Sequence, residues 1–401
     1  MKEKQVVLRA TSVQGATRDV FRPRAFPEAT FSQVPEVTAL PLALTVEVEE
    51  VESRHVPALA SRTDVLAVAP AMPMRLIVPV EVQDAPAAAQ GPAWGIQAVG
   101  ADTSPFTGSG VTVAVLDTGI DAAHPAFAGV TLVQKDFTGE GDGDGHGHGT
   151  HCAGTVFGRD VNGTRIGVAP GVTQAVIGKV LGAEGGGSSE QIVSAIQWAL
   201  EQGAQVISMS LGIDFPGYVK RMEAQGMKTE PATSLALEAY RANVLLFERL
   251  ASFIRARAAF LQSTLIVAAA GNESERPEYE IAVSPPAVAE GILSVAALGQ
   301  DGAAFSVAPF SNTGANVAAP GVGIVSARKG GGLASMSGTS MATPHVAGVT
   351  ALWAQKIKDG GGVLSPLNLT AQLIASATTG SLKPGFDPVS VGTGLVRAPQ
   401  V

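Results

Sequence analysis

VTVAVLD (111–117) is nearly all apolar, and AQVISMSLG (204–212) and STLIVAAAGN (263–272) read as further buried strands. A strand that is apolar on both faces must be covered on both, as in a parallel sheet packed between helices. Helical patterns lie between and after these runs. SSEQIVSAIQWALEQG (188–203) opens with a capping-box pair, Ser188 with Gln191, and closes at Gly203. GTSMATPHVAGVTALWAQ (338–355) reads as a turn feeding a further helix. Strands alternating with helices predict an α/β fold, a parallel sheet with helices on both faces. Ligands of such sheets bind beyond the C-terminal ends of the strands, and Asp117 and Asn272 stand at two of those ends.

The totals narrow the function. A chain of 401 residues that is 46% apolar and 15% charged, with 47 Gly and 25 Pro, folds with a large core and many turns. The net charge is −8 and Lys and Arg do not cluster, which argues against nucleic acid or an anionic membrane as partner. No apolar run reaches the roughly 18–20 residues of a membrane span. One cysteine excludes an internal disulfide. The opening MKEKQVVLRATSVQGATRDV lacks the apolar run of a secretory signal, so a cytoplasmic location is expected.

GEGDGDGHGHGTHCAGT (139–155) gathers Asp142, Asp144, His146, His148, His151 and Cys152, with half of the chain's six histidines. A structural zinc site would show paired Cys/His ligands in two clusters, and no second cluster exists. His148 and Cys152 share a helix face at i, i+4, whereas His151 points elsewhere. A solvated glycine-rich loop is the plainest alternative. Catalysis is the third, and the rest of the chain favours it. Peptide hydrolysis needs a nucleophile, a base, an acid to orient the base, and donors for the oxyanion. VAVLDTGID, GHGTHCAGT and SGTSMATPHVAG supply such groups in the order Asp, His, Ser.

With these motifs the chain resembles the subtilisin-like serine proteases, the subtilases, over roughly residues 93–400. The resemblance implies that Asp117 orients His148, that His148 is the general base, and that Ser340 is the nucleophile. It implies that Asn272, in AAAGNES, donates to the oxyanion together with the Ser340 backbone N–H at a helix start. A neutral His148 is required, so activity is expected to rise through roughly pH 6–7.5. The related sedolisins carry Glu where His148 stands. An α/β-hydrolase would need Gly-x-Ser-x-Gly, and the fifth residue here is Ala342. Cys152 directly follows His151, as in the proteinase K-like members, where the thiol lies under the catalytic histidine. Its simplest role is that of a small buried apolar residue.

The resemblance also implies a cleft in which substrate adds as a β-strand between two segments. These correspond to Gly185, Gly186 and Gly187 on one side, and to Ser210, Leu211 and Gly212 on the other. Glu273 is expected near the floor of the first specificity pocket, favouring a basic residue there or standing merely solvated. No cofactor is required. Calcium binds many relatives through an acidic side chain and an Asn, but here Ala126 and Val161 fall at those places, with Asp160 and Asn162 beside the second. Glu140, Asp142 and Asp144 form a cation loop or a polar turn.

Residues 1–80 are similar to a subtilase propeptide, a small α+β domain that assists folding and blocks the cleft; a permanently attached accessory domain is the alternative. ALTVEVEEV (43–51) alternates like a strand, SRHVPALASRTD suits a short helix, and residues 10–41 are irregular. Residues 81–92 read as a flexible Ala/Pro/Gly linker and 93–401 as the subtilisin-like catalytic domain. Residues 214–263 form an insertion. Within it, Tyr240, Val244, Phe247, Leu250, Ile254, Ala258 and Leu261 mark an amphipathic helix over 234–261, about 40 Å long at 1.5 Å per residue. Residues 214–231 directly follow a cleft segment and could fold over it. The implied activity is a serine endopeptidase acting on polypeptide, made as a self-processed precursor whose own N-terminal domain inhibits the cleft. The rival is a binding or regulatory protein that keeps the fold without turnover.

Overall fold

The computed structural model describes residues 2–12, 42–84, 90–258 and 262–401. Its centre is an eight-stranded sheet. The strands run Ala304–Val307, Ile292–Asp301, Leu265–Ala269, Val206–Met209, Thr112–Asp117, Gln174–Lys179, Thr131–Asp136, and Val317–Pro320 also pairs with Ile292–Asp301. All pairings are parallel except that of Ala304–Val307. Alternation along Thr112–Asp117 feeds two cores. Val113 and Val115 pack with Val156, Phe157, Met341 and Val346 from the helices His148–Phe157 and Thr339–Asp359. Ala114 and Leu116 pack with Ile192 and Ile196 from the helix Ser189–Glu201 and with Phe247 from Thr229–Arg257. Both faces are therefore covered, and the runs that are apolar on two sides are explained.

The front of the chain is a three-stranded antiparallel sheet with Lys2–Ser12 between Leu42–Glu52 and Val65–Pro70. The outer strands run parallel to each other and are joined through the short helix Val56–Ala60, a split β-α-β unit. Its apolar face does not close on itself. Val6, Leu8, Leu44 and Ala69 belong to the same core as Ile192, Ile196 and Phe247. The irregular stretch foreseen over 10–41 lies outside the described residues from 13 onward.

Three features differ from the sequence reading. Residues 81–84 of the supposed linker form a strand, Glu81–Asp84, that pairs antiparallel with Leu333–Ser337. The insertion helix starts at Thr229, not 234, and Leu261 is outside the described residues. Its first turns bury Ala232, Ala236, Ala239 and Asn243 against Val65–Pro70, and Asn243 Nδ2 donates to Pro70 O at 2.9 Å. Small side chains mark this close approach, so a search for large apolar residues overlooks it. The preceding helix Phe215–Ala224, capped by Asp214 accepting from Gly217 N at 3.1 Å, packs beside Thr229–Arg257 with Tyr218 and Met222 buried. It stands next to the cleft; what crosses the cleft is a different segment.

Candidate active site

Asp117 ends its strand and His148 opens its helix, and their side chains meet in a buried hydrogen bond of 2.8 Å between Oδ1 and Nδ1. Glycine makes the approach possible. A Cβ on Gly149 would stand 2.1 Å from Gly119 O, and Gly119 itself has φ +103°. Thr118 N donates to Asp117 Oδ1 at 2.7 Å. Asp144, foreseen as a possible cation ligand, ties the two loops together. It accepts from Thr118 Oγ1 at 2.8 Å, Thr150 Oγ1 at 2.6 Å, and the N–H groups of His146 and Gly147 at 3.0 and 2.7 Å. Glu140 pairs with Lys179 at 3.2 Å and accepts from Ala183 N. Two of the three carboxylates in that loop thus have protein partners. Ala126 and Val161 are buried apolar side chains, so neither offers an oxygen to a hard cation.

Burial alone disfavours an imidazolium at His148, but the adjoining Asp117 carboxylate and Cys152 more than offset it and hold the pKa well above the usual histidine value. A neutral imidazole at His148 is therefore populated only above that raised pKa. The rising limb of activity against pH should therefore be centred above about 6.5, and Asp117→Asn should move it down. A pH profile of kcat/KM checks this, and a limb centred below about 6 would contradict the geometry.

Cys152 Sγ lies 3.7 Å from His148 Nδ1 and 3.4 Å from Ser340 O. Burial pushes its thiol up, away from the nucleophilic thiolate. Asp117, His148 and Cys152 are close enough to share a metal ion, yet the Asp117 oxygen and His148 nitrogen that face each other already share a hydrogen bond. A mercurial bound at Cys152 should displace the imidazole and inhibit, while Cys152→Ala stays active and resists. An inactive but folded Cys152→Ala would refute the packing role. His151 is held by Ile324 O at 3.0 Å and Ala334 O at 3.2 Å, and burial, with the nearby His148, lowers its pKa to about 3. It serves as a structural donor. His146 is exposed.

Ser340 is the second residue of the helix Thr339–Asp359 and fully buried. Asn272, at the loop after Leu265–Ala269, accepts from Thr339 N and Thr339 Oγ1, each at 2.8 Å. Those two donors fix its amide so that Nδ2 faces the cleft. Gly338 has no Cβ to block that amide; one would lie 2.9 Å from Nδ2.

The cleft is filled by the chain itself. The strand Pro73–Leu76 lies antiparallel between Gly186–Ser188 and Leu211–Ile213. Leu76 N donates to Gly185 O at 2.8 Å and Ile77 N to Ser210 O at 3.5 Å. Gly185, at φ +76°, would bring a Cβ to 3.1 Å from that of Leu76, and Gly212 would bring one to 3.7 Å from Ile77. Ser340 Oγ donates to Ile77 O at 2.9 Å, whereas Asn272 Nδ2 donates to the next carbonyl, Val78 O, at 3.0 Å. Beyond the site, Val80 N donates to Ser337 O at 2.8 Å. Glu273 does not stand free at a pocket floor; its carboxylate meets Arg75 at 3.1 Å and Asn312 at 2.7 Å. The roles of Asp144 and Asn312 escaped the sequence reading, because each draws backbone and side-chain partners from separate segments that only folding brings together.

Residues 108–394 match the model of the subtilase family. An intracellular serine protease of Paenibacillus polymyxa is 33% identical over 296 residues, 72% of this chain and 79% of the relative. The M-protease of Shouchella clausii is 35% identical over 279 residues, covering 67% of this chain and 61% of that protein. Subtilisin Savinase of Lederbergia lenta is 35% identical over 279 residues, 67% of this chain and 86% of its own length. With the family model spanning most of the chain and a sheet, helices and motif order to match, this protein belongs to the subtilase family.

Proposed function

We propose that the protein is a serine endopeptidase that cleaves polypeptides through an acyl-enzyme on Ser340, and that its residues 1–80 inhibit it. His148 takes the Ser340 proton, Asp117 orients the imidazole and balances its charge, and Asn272 with the Ser340 N–H holds the oxyanion. The chemistry draws on no cofactor. The cleft walls Gly185–Gly187 and Ser210–Gly212 bind substrate backbone as an added strand. The observation that carries the reading is a peptide segment, Pro73–Val78, that meets both cleft walls, Ser340 and Asn272 at once.

That peptide is poorly set for its own cleavage. Attack requires the nucleophile to reach the carbon of the same carbonyl whose oxygen sits on the oxyanion donor. Here Ser340 and Asn272 engage successive carbonyls, and the Ser340 proton is given to Ile77 O. An occupied cleft with slow self-cleavage is the expected state. A cytoplasmic location is part of the same proposal; among the described residues no helix is long and apolar enough to cross a membrane.

A serine-reactive fluorophosphonate tests the nucleophile: Ser340 should label, and a silent binding protein would not. Mass spectrometry during incubation tests the precursor. Wild type should lose about 80–92 residues, while Ser340→Ala keeps its full length. A second reading, a front domain that is never removed, has one observation behind it, the core that domain shares with the catalytic helices. Turnover by a full-length chain with residues 81–92 intact would establish it.

A further inference from the structure

We infer that Asp214 and Glu273 form a recognition site for a basic side chain, arginine or lysine, on the third substrate residue before the bond that is cut. The inference rests on the peptidase reading, and the chain's own cleft segment reveals it. Arg75 pairs with Gly186 on one wall and Gly212 on the other, so its place in the register is fixed from both sides. Two residues on, Ile77 presents its carbonyl oxygen to Ser340. Counting back from Ile77, Arg75 is the third residue.

The Arg75 guanidinium lies between two carboxylates from different parts of the chain. Nη2 donates to Glu273 Oε1 at 3.1 Å, and Nη1 stands 3.5 Å from Asp214 Oδ1. Neither acid is a loose surface group. Asn312, itself buried, donates to Glu273 Oε2 at 2.7 Å and accepts from Glu273 N at 3.1 Å. Asp214 is fixed by capping the helix Phe215–Ala224. Two positioned carboxylates flanking one strand register select a cation there and repel an anion. The neighbours Met74 and Leu76 point the other way into apolar packing, so the charge demand belongs to this one position.

Because Arg75 is 42% exposed, the selectivity should be moderate. Three peptides, succinyl-Met-Xaa-Leu-Ile-p-nitroanilide with Xaa as Arg, Gln or Glu, fix the register through a single labile bond. Consumed together in one tube by the full chain, they report ratios of kcat/KM that do not depend on how many clefts are open. Arg should be favoured about tenfold over Gln and Gln over Glu by a similar factor, with both ratios shrinking in high salt. Glu273→Gln should narrow the Arg preference and Glu273→Arg should reverse it. Asp214→Asn, which keeps a capping side chain, should also narrow it. Equal consumption of all three peptides by wild type would overturn the inference while leaving the peptidase reading intact. If wild type consumes none of them and no casein either, the peptidase reading falls and the inference with it.

Discussion

Ser340→Ala and His148→Ala should each lower turnover of a peptide substrate about 10⁶-fold, and Asp117→Asn roughly 10⁴-fold, on the scale of other Ser-His-Asp sites. The buried contact of 2.8 Å between Asp117 and His148 is the reason for the second figure. Asparagine in its place would present an amide to Nδ1, favour the wrong tautomer and leave no negative charge to balance the imidazolium. Double variants should lose little beyond the worst single one, as expected of three side chains that act as a unit. Single-turnover measurements with a p-nitroanilide would check this. Near-normal hydrolysis by Ser340→Ala would remove the whole assignment.

The next largest effect should be a gain. Leu76 is 2% exposed and packs in the core shared with the helix Ser189–Glu201. Leu76→Asp would force a carboxylate into that apolar contact, at a cost of about 3 kcal/mol. If the segment competes with substrate, the open fraction should rise about 100-fold, and the initial rate of the full-length chain with it. The comparison is made before any cleavage of the chain, with gels at matching times. An unchanged initial rate in a folded Leu76→Asp protein would show that the segment is not what limits access.

The residues proposed for catalysis were legible in the sequence because each sits where the pattern changes. Asp117 ends an apolar strand, Asn272 stands in the loop after another, and Ser340 is the second residue of a helix that a glycine precedes. Those transitions are local, and local signals survive in a linear chain. The strand Glu81–Asp84 was misread because its partner, Leu333–Ser337, lies far away in sequence and its own composition is that of a linker. The start of the insertion helix was missed for a related reason: Ala232, Ala236 and Ala239 are buried by a neighbour that no periodicity names. Arg75 and Glu273 meet only because the front domain lays its last strand in one register, which neither segment encodes alone.

The cleft strand is held at both ends, by the front domain on one side and by Glu81–Asp84 on the other. A ligand tethered in this way has a local concentration set by the tether, on the order of millimolar or above, whatever the amount of protein in solution. One break in the chain after the strand changes the law that governs the site. Occupancy then follows ordinary mass action, and the released front domain must find the cleft by diffusion. Dilution alone would then open the site, and crowding many molecules together would shut it again. A single covalent cut would thus turn a fixed plug into a gauge of how much enzyme is present.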